Sequence, residues 1–150
     1  MKRVLLFQLL FLAAWLNAQE RPLNTGLSID EQYAFIGMLM SDAIERFGPP
    51  RAVSTARGIE IWQDDVVFQY TGVDFYIFKD RVWQVKFATT HGISNGDPKE
   101  SVLLTLGINA EDKGDHVLLA ISGRNWPLML RANINNTGRV SSIFLYRPNY

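Results

Sequence analysis

Two histidines, His91 and His116, are the only imidazoles in the chain. Metal binding and acid–base catalysis both need His, Asp or Glu brought together, typically three or four residues apart on a helix. His91 lies in a "TTHG" linker and His116 opens a strand-like run, and neither has a partner at such a spacing. Both are read as loop and strand-edge residues. Asp64 and Asp65 are the other candidate, because adjacent carboxylates can hold a cation or share a proton, one pKa rising as like charges approach. The plainer reading of that pair is a solvated turn or bulge. A serine nucleophile needs a base beside it, and two separated histidines make a triad improbable. No glycine-rich loop follows a strand and opens a helix, so there is no candidate phosphate cradle. The residues therefore predict no catalytic group, no metal site and no cofactor. Asn135-Asn136-Thr137 matches a glycosylation sequon, but it also makes a good hairpin turn.

The start of the chain bears on compartment. "MKRVLLFQLLFLAAWLNAQE" runs from Lys2 and Arg3 through a largely apolar stretch, Val4 to Leu16, to small residues before Gln19. That order is the order of a secretory signal peptide, with cleavage expected after Ala18. The apolar run falls short of the ~20 residues of a membrane span, so no integral membrane segment is expected after processing. Gln19 stands where a lipoprotein would carry its lipidated cysteine, and the chain has no cysteine at all. The expectation is an exported protein, periplasmic or secreted, with neither lipid anchor nor disulfides. Less Lys2 and Arg3, the 15 basic residues become 13 against 15 acidic ones, a net of −2. That balance supplies no clustered basic face for nucleic acid.

Which elements would position these residues? Ser28 and Glu31 form a capping box. Tyr33, Ile36, Met40, Ile44 and Phe47 then recur at helical spacing, interrupted by Gly37, which predicts two short helices over about 28–36 and 39–47. Gly48, Pro49 and Pro50 stop the second. From Ile59 to Ala88 the period becomes two: "EIWQDDVVFQY", "VDFYIFKD" and "RVWQVKFA" read as an antiparallel meander. A further helix follows, with Asp97 as cap, Pro98 at its first position and Glu100 closing a box. Gly107 stops it, and strands "HVLLAIS", "WPLMLRANI" and "RVSSIFLYRP" complete the chain. The expected core is Ile44, Phe47, Phe75, Ile77, Trp83, Val85 and Phe87, with Leu103, Leu106, Leu130, Ile134, Ile143 and Leu145.

Gly37, Ile44, Phe47 and Gly48 stand 59 positions before Gly96, Leu103, Leu106 and Gly107. Val82, Val85 and Phe87 stand 58 positions before Val140, Ile143 and Leu145. This self-similarity predicts an α+β fold: two tandem helix-plus-antiparallel-meander repeats, residues 19–90 and 91–150, forming one sheet-based domain with helices on one face. "MSDAIERFGPP", followed by a meander ending "YIFKDRVWQVKF", resembles the helix-turn-sheet unit of the β-lactamase inhibitory protein fold. The same unit occurs singly in small outer-membrane assembly lipoproteins of the BamE/SmpA type. The resemblance implies the fold; the inhibitors' disulfide in each repeat and the lipoproteins' cysteine are absent here.

Parity opposite to the core puts Asp74, Tyr76 and Phe78 on the far face of the sheet, with Gln84 and Lys86 beside them. Arg131, Asn133, Phe144 and Tyr146 take comparable places in the second half. A solvated face is normally polar, whereas aromatics with Arg and amides suit protein recognition. The alternative for these aromatics is packing between the repeats. The expected function is a non-enzymatic module holding an unknown protein partner through Asp74, Tyr76, Phe78, Lys86, Arg131, Phe144 and Tyr146. The second reading is a small-ligand module with an apolar cleft between repeats, which a pocket of several hundred Å³ would favour. A hydrolase is the third.

Overall fold

The structure is a computed structural model and describes residues 21–58 and 63–148. Helix α1 (Ile29–Tyr33) starts at the capping box: the Glu31 amide donates to Ser28 Oγ at 3.3 Å and the Ser28 amide donates to the Glu31 carboxylate at 2.8 Å. Helix α2 (Met40–Phe47) stops at Gly48, whose φ of 77° few other residues adopt cheaply. Four strands follow: β1 (Ala52–Arg57), β2 (Asp64–Tyr70), β3 (Val73–Phe78) and β4 (Arg81–Phe87). A two-residue ladder, β5 (Thr89–Thr90) with β6 (Ile93–Ser94), leads to helix α3 (Lys99–Leu106). Strands β7 (Ala110–Asp112), β8 (His116–Ile121), β9 (Leu128–Ile134) and β10 (Val140–Tyr146) complete the described chain.

The long strands form one eight-stranded sheet in the order β1-β2-β3-β4-β10-β9-β8-β7, antiparallel at every pairing. Its centre is the β4–β10 pair, where Val85 lies opposite Leu145 and Phe87 opposite Ile143. All four are buried. Phe35, from the turn after α1, meets Phe47, Phe75 and Phe87 at ring-centroid distances of 5.6, 5.2 and 6.2 Å. The core therefore lies between the helix-bearing segments and the face that carries Phe75, Val85, Phe87, Leu130, Ile143 and Leu145.

The expected α+β fold of two tandem helix-plus-meander repeats is corrected by this architecture. The described chain is mostly β, with one large and one small antiparallel sheet and, among the described residues, helices of only five, eight and eight residues. The helical spacing in residues 33–47 overstated the helices. Residues 34–37 form turns, and Ile44, expected in the core, is 42% exposed. The two segments also differ in build, since among the described residues two helices precede β1 whereas one lies between β6 and a β7 of three residues. What recurs is a local clamp. The Gly37 amide donates to the Val82 carbonyl and Arg81 donates to the Gly37 carbonyl at 2.8 Å, while Gly96, Val140 and Arg139 repeat both bonds.

Two further expectations change. Asp97 does not cap α3: its carboxylate accepts from the Ser94 amide at 2.7 Å, and Pro98 occupies the cap position. Trp83 is buried, but it lies outside the central core cluster. The β3–β4 register shifts between Tyr76↔Gln84 and Ile77↔Val82, so Trp83 is the extra residue of a bulge, and Val82 takes the core position opposite Ile77.

Candidate functional site

Along β3, Val73, Phe75 and Ile77 are buried while Asp74, Tyr76 and Phe78 are half-buried on the other face. The same alternation on β10 puts Phe144 and Tyr146 opposite in sense to Ile143 and Leu145. Cross-strand register then assembles the far face. One row reads Val67, Tyr76, Gln84, Tyr146, Met129, and the next reads Gln69, Asp74, Lys86, Phe144, Arg131, Leu118.

These rows bring together most of the residues singled out in the sequence. Arg131, Phe144 and Tyr146 line a groove of about 490 Å³, joined by Gln84 and Asn133. Tyr76 borders it through Phe144, their ring centroids 6.0 Å apart. Lys86 and Asp74 pair at 3.6 Å in the adjoining row and border a smaller pocket instead. Phe78 lies toward the β3–β4 turn with the Lys79 ammonium 5.2 Å from its ring centroid, away from the groove. A larger concavity, about 730 Å³, lies between residues 34–38 and α2, lined by Ala34, Ile36 and Met38 on one side and by the charged Asp42, Glu45 and Arg46 on the other.

Charge in the groove is set by few groups. Arg131 Nε donates to Asn133 Oδ1 at 2.7 Å, and Asn133 Nδ2 donates to Ser142 Oγ at 2.9 Å. This chain of bonds fixes the guanidinium by one edge and leaves its two terminal NH₂ groups for other acceptors. Burial pushes the Asp74 carboxyl up, and the Lys86 ammonium pulls it back. Burial also pushes the Tyr76 phenol up, with Asp74 and Asp65 adding to it, so Tyr76 is a neutral hydroxyl at ordinary pH.

The chemistry-bearing candidates do not converge. Asp64 is exposed and pairs with Arg57 at 3.1 Å, while Asp65 is 1% exposed and accepts from Gln63 Nε2 at 2.9 Å. Neighbours on a strand point to opposite faces, so the two carboxylates share no site. His116 Nδ1 lies 2.6 Å from Asp115. His91 uses both ring nitrogens, Nε2 with the Tyr33 hydroxyl at 2.7 Å and Nδ1 with Thr90 Oγ1 at 2.9 Å. Among the described residues, no three His, Asp or Glu side chains come together as a metal site. The turn at Asn135 is held by its own side chain, which accepts from the Thr137 and Arg139 amides at 3.0 Å each.

Sequence reasoning missed one spacing and two groove residues. Gly92-Ile93-Ser94-Asn95-Gly96 has the G-x-S-x-G pattern of a nucleophile elbow. Its context is wrong for one, because Ser94 sits in the β5–β6 ladder, its hydroxyl bonded to Thr89 Oγ1 at 3.0 Å. Gln84 and Asn133 were placed on the far face but not among the partner-binding residues, though parity alone already put them beside Tyr146 and Arg131.

No protein-family model matches the chain, and no curated protein matches it. Among solved structures it is similar to the crystal structure of an extracellular protein containing an SCP domain from Bacillus anthracis str. Ames, at 14% identity and a TM-score of 0.47. That match covers 77% of this chain, which spans only 45% of the other. The function proposed for the chain rests on its own residues and not on this likeness. No described helix is long and apolar enough to cross a membrane.

Proposed function

We propose that this protein is an exported, non-enzymatic binding module that holds a protein partner on the sheet face carrying Tyr76, Arg131, Phe144 and Tyr146. The observation that carries the reading is the groove itself. Two aromatic rings, an arginine and two amides line about 490 Å³ on the face turned away from the core. Interfaces are enriched in aromatics and Arg around a desolvated centre, and a groove of this size takes several side chains of a docked segment. The volume also falls in the range of small-ligand sites, which supports a small apolar molecule as the second reading. Against it, three of the five lining residues, Gln84, Arg131 and Asn133, are polar. Export rests on the basic start, short apolar run and small residues before Gln19.

The test is affinity capture from the native envelope or culture medium with the mature protein as bait, beside Tyr146→Ala as a second bait. A stoichiometric protein captured by the first and lost by the second supports the reading. Equal capture by both baits would remove it. Intact-mass measurement of the exported material tests the other half, with loss of about the first 18 residues expected from the small-residue cleavage site.

A further inference from the structure

Resting on that reading, we infer that the groove recognises a carboxylate carried beside an apolar or aromatic side chain on an extended polypeptide segment, and that Arg131 is the residue that selects it. Arg131 is half-buried and lies in register between Phe144 and Leu118, an apolar setting for a permanent cation. A cation so placed is normally paired. Here the guanidinium has only its Nε bond to the neutral Asn133, and among the described residues no carboxylate lies within ion-pair distance. Asp115, whose charge Arg131 does influence, is bonded to His116 instead. Lys86, in the same row, is already taken by Asp74.

The geometry therefore leaves one oriented guanidinium edge facing a groove whose other walls are rings and amides. The chemistry complementary to it is a carboxylate on two parallel N–H bonds, with a flat apolar group on Phe144 and Tyr146. The neutral Tyr76 hydroxyl and the Gln84 amide can bond the backbone of the same segment. A partner offering a basic residue here would meet Arg131 unpaired and be rejected.

The probe is a displayed library of random dodecapeptides selected on residues 19–150. Selected peptides are expected to share Asp, Glu or a free C-terminus next to an aromatic or aliphatic residue. For the best peptide, replacing the carboxylate by its amide should weaken binding about tenfold or more, the usual reach of a charge-assisted pair. Arg131→Gln should cost a similar factor and make the amide replacement almost without further effect. Arg131→Lys, which keeps charge but not the fork, should fall between, and thermal melting of each variant checks that it is folded. If Tyr146→Ala weakens binding while Arg131→Gln and the amide replacement act independently or not at all, the carboxylate inference falls and the face reading stands. If no peptide is selected, or Tyr146→Ala changes nothing, both fall. N-acetylphenylalanine binding as tightly as the peptides would overturn the polypeptide occupant in favour of a small aromatic acid.

Discussion

Tyr76 and Phe144 meet edge to face, their ring centroids 6.0 Å apart and their planes at 68°, although β4 lies between their strands. The contact spans the seam of the sheet on its far side. It gives Tyr76 a structural task that Tyr146, its neighbour but one across the same row, does not share.

The first prediction separates the two tyrosines. An edge-to-face pair adds about 0.5–1.5 kcal/mol beyond area burial. Tyr76→Ala should therefore lower stability measurably, by about 1–2 kcal/mol in urea titration once lost burial is included. Tyr146→Ala should leave the midpoint nearly unchanged and still abolish most partner capture. If Tyr146→Ala destabilises as much as Tyr76→Ala and capture per folded molecule is unaltered, the aromatics serve packing rather than recognition.

Trp83 supplies the second. It is 3% exposed, and its indole N–H is buried with no acceptor among the described residues. An unmet buried donor costs about 1–3 kcal/mol, which offsets part of what its ring burial contributes. Trp83→Phe removes the orphan donor and keeps most of the ring, so it should be close to neutral. Trp83→Ala should cost about 3–5 kcal/mol. Equal losses for the two variants, measured by chemical denaturation, would mean that the indole nitrogen has a partner.

The strands were legible where one face is buried, because alternation is then written into the residue types. Val73 to Phe78, Leu128 to Ile134 and Val140 to Tyr146 announced both faces, and with them Tyr76, Arg131, Phe144 and Tyr146. β1 was not legible. "AVSTAR" is an edge strand exposed on both sides, with Val53 60% exposed, so its side chains carry no alternation. The Trp83 bulge was illegible for another reason. One inserted residue shifts parity without changing composition, so Trp83 counted with Val85 and Phe87 although Val82 holds the core position. Helix length failed because the spacing of Tyr33, Ile36 and Met40 is equally satisfied by turns that fold back onto the sheet.

The third prediction concerns the two turn clamps. Gly37 and Gly96 have φ of 88° and 92°, and a Cβ at either position would meet nothing within 4 Å. Substituting alanine there tests backbone conformation alone, without steric conflict. Each Gly→Ala change should cost about 1–2 kcal/mol, the strain of an L-residue in the left-handed region. Similar losses at both sites are expected, since each amide bonds a strand carbonyl in the same way, Gly37 to Val82 at 2.7 Å and Gly96 to Val140 at 2.8 Å. A neutral or stabilising Gly37→Ala would show that the turn relaxes to an ordinary conformation.

The fourth is a pH effect at His91. Thr90 Oγ1 donates to Gln32 Oε1 at 2.8 Å, so it accepts from His91 Nδ1–H, and Nε2 is left to accept the Tyr33 hydroxyl. The network is built for the neutral ring. Burial accordingly lowers the His91 pKa below its ordinary 6.5. With the folded value depressed, the unfolded chain binds the proton first as pH falls, so the contribution of His91 to stability is full above about 6.5 and is lost below it. The exposed Glu31, Asp112 and Asp115 carboxylates, each held below its usual range by hydrogen bonds, act in the same direction but only in more acid solution. Asp74, held above its range, acts in the opposite direction there. Those groups are common to the native protein and to His91→Gln, so the His91 contribution is read as the difference between the two from pH 7 to about 5, close to the ordinary histidine range. Urea midpoints of the native protein should decline across that interval more steeply than those of His91→Gln. A parallel decline in both proteins would assign the effect to other groups and leave His91 with no part in it.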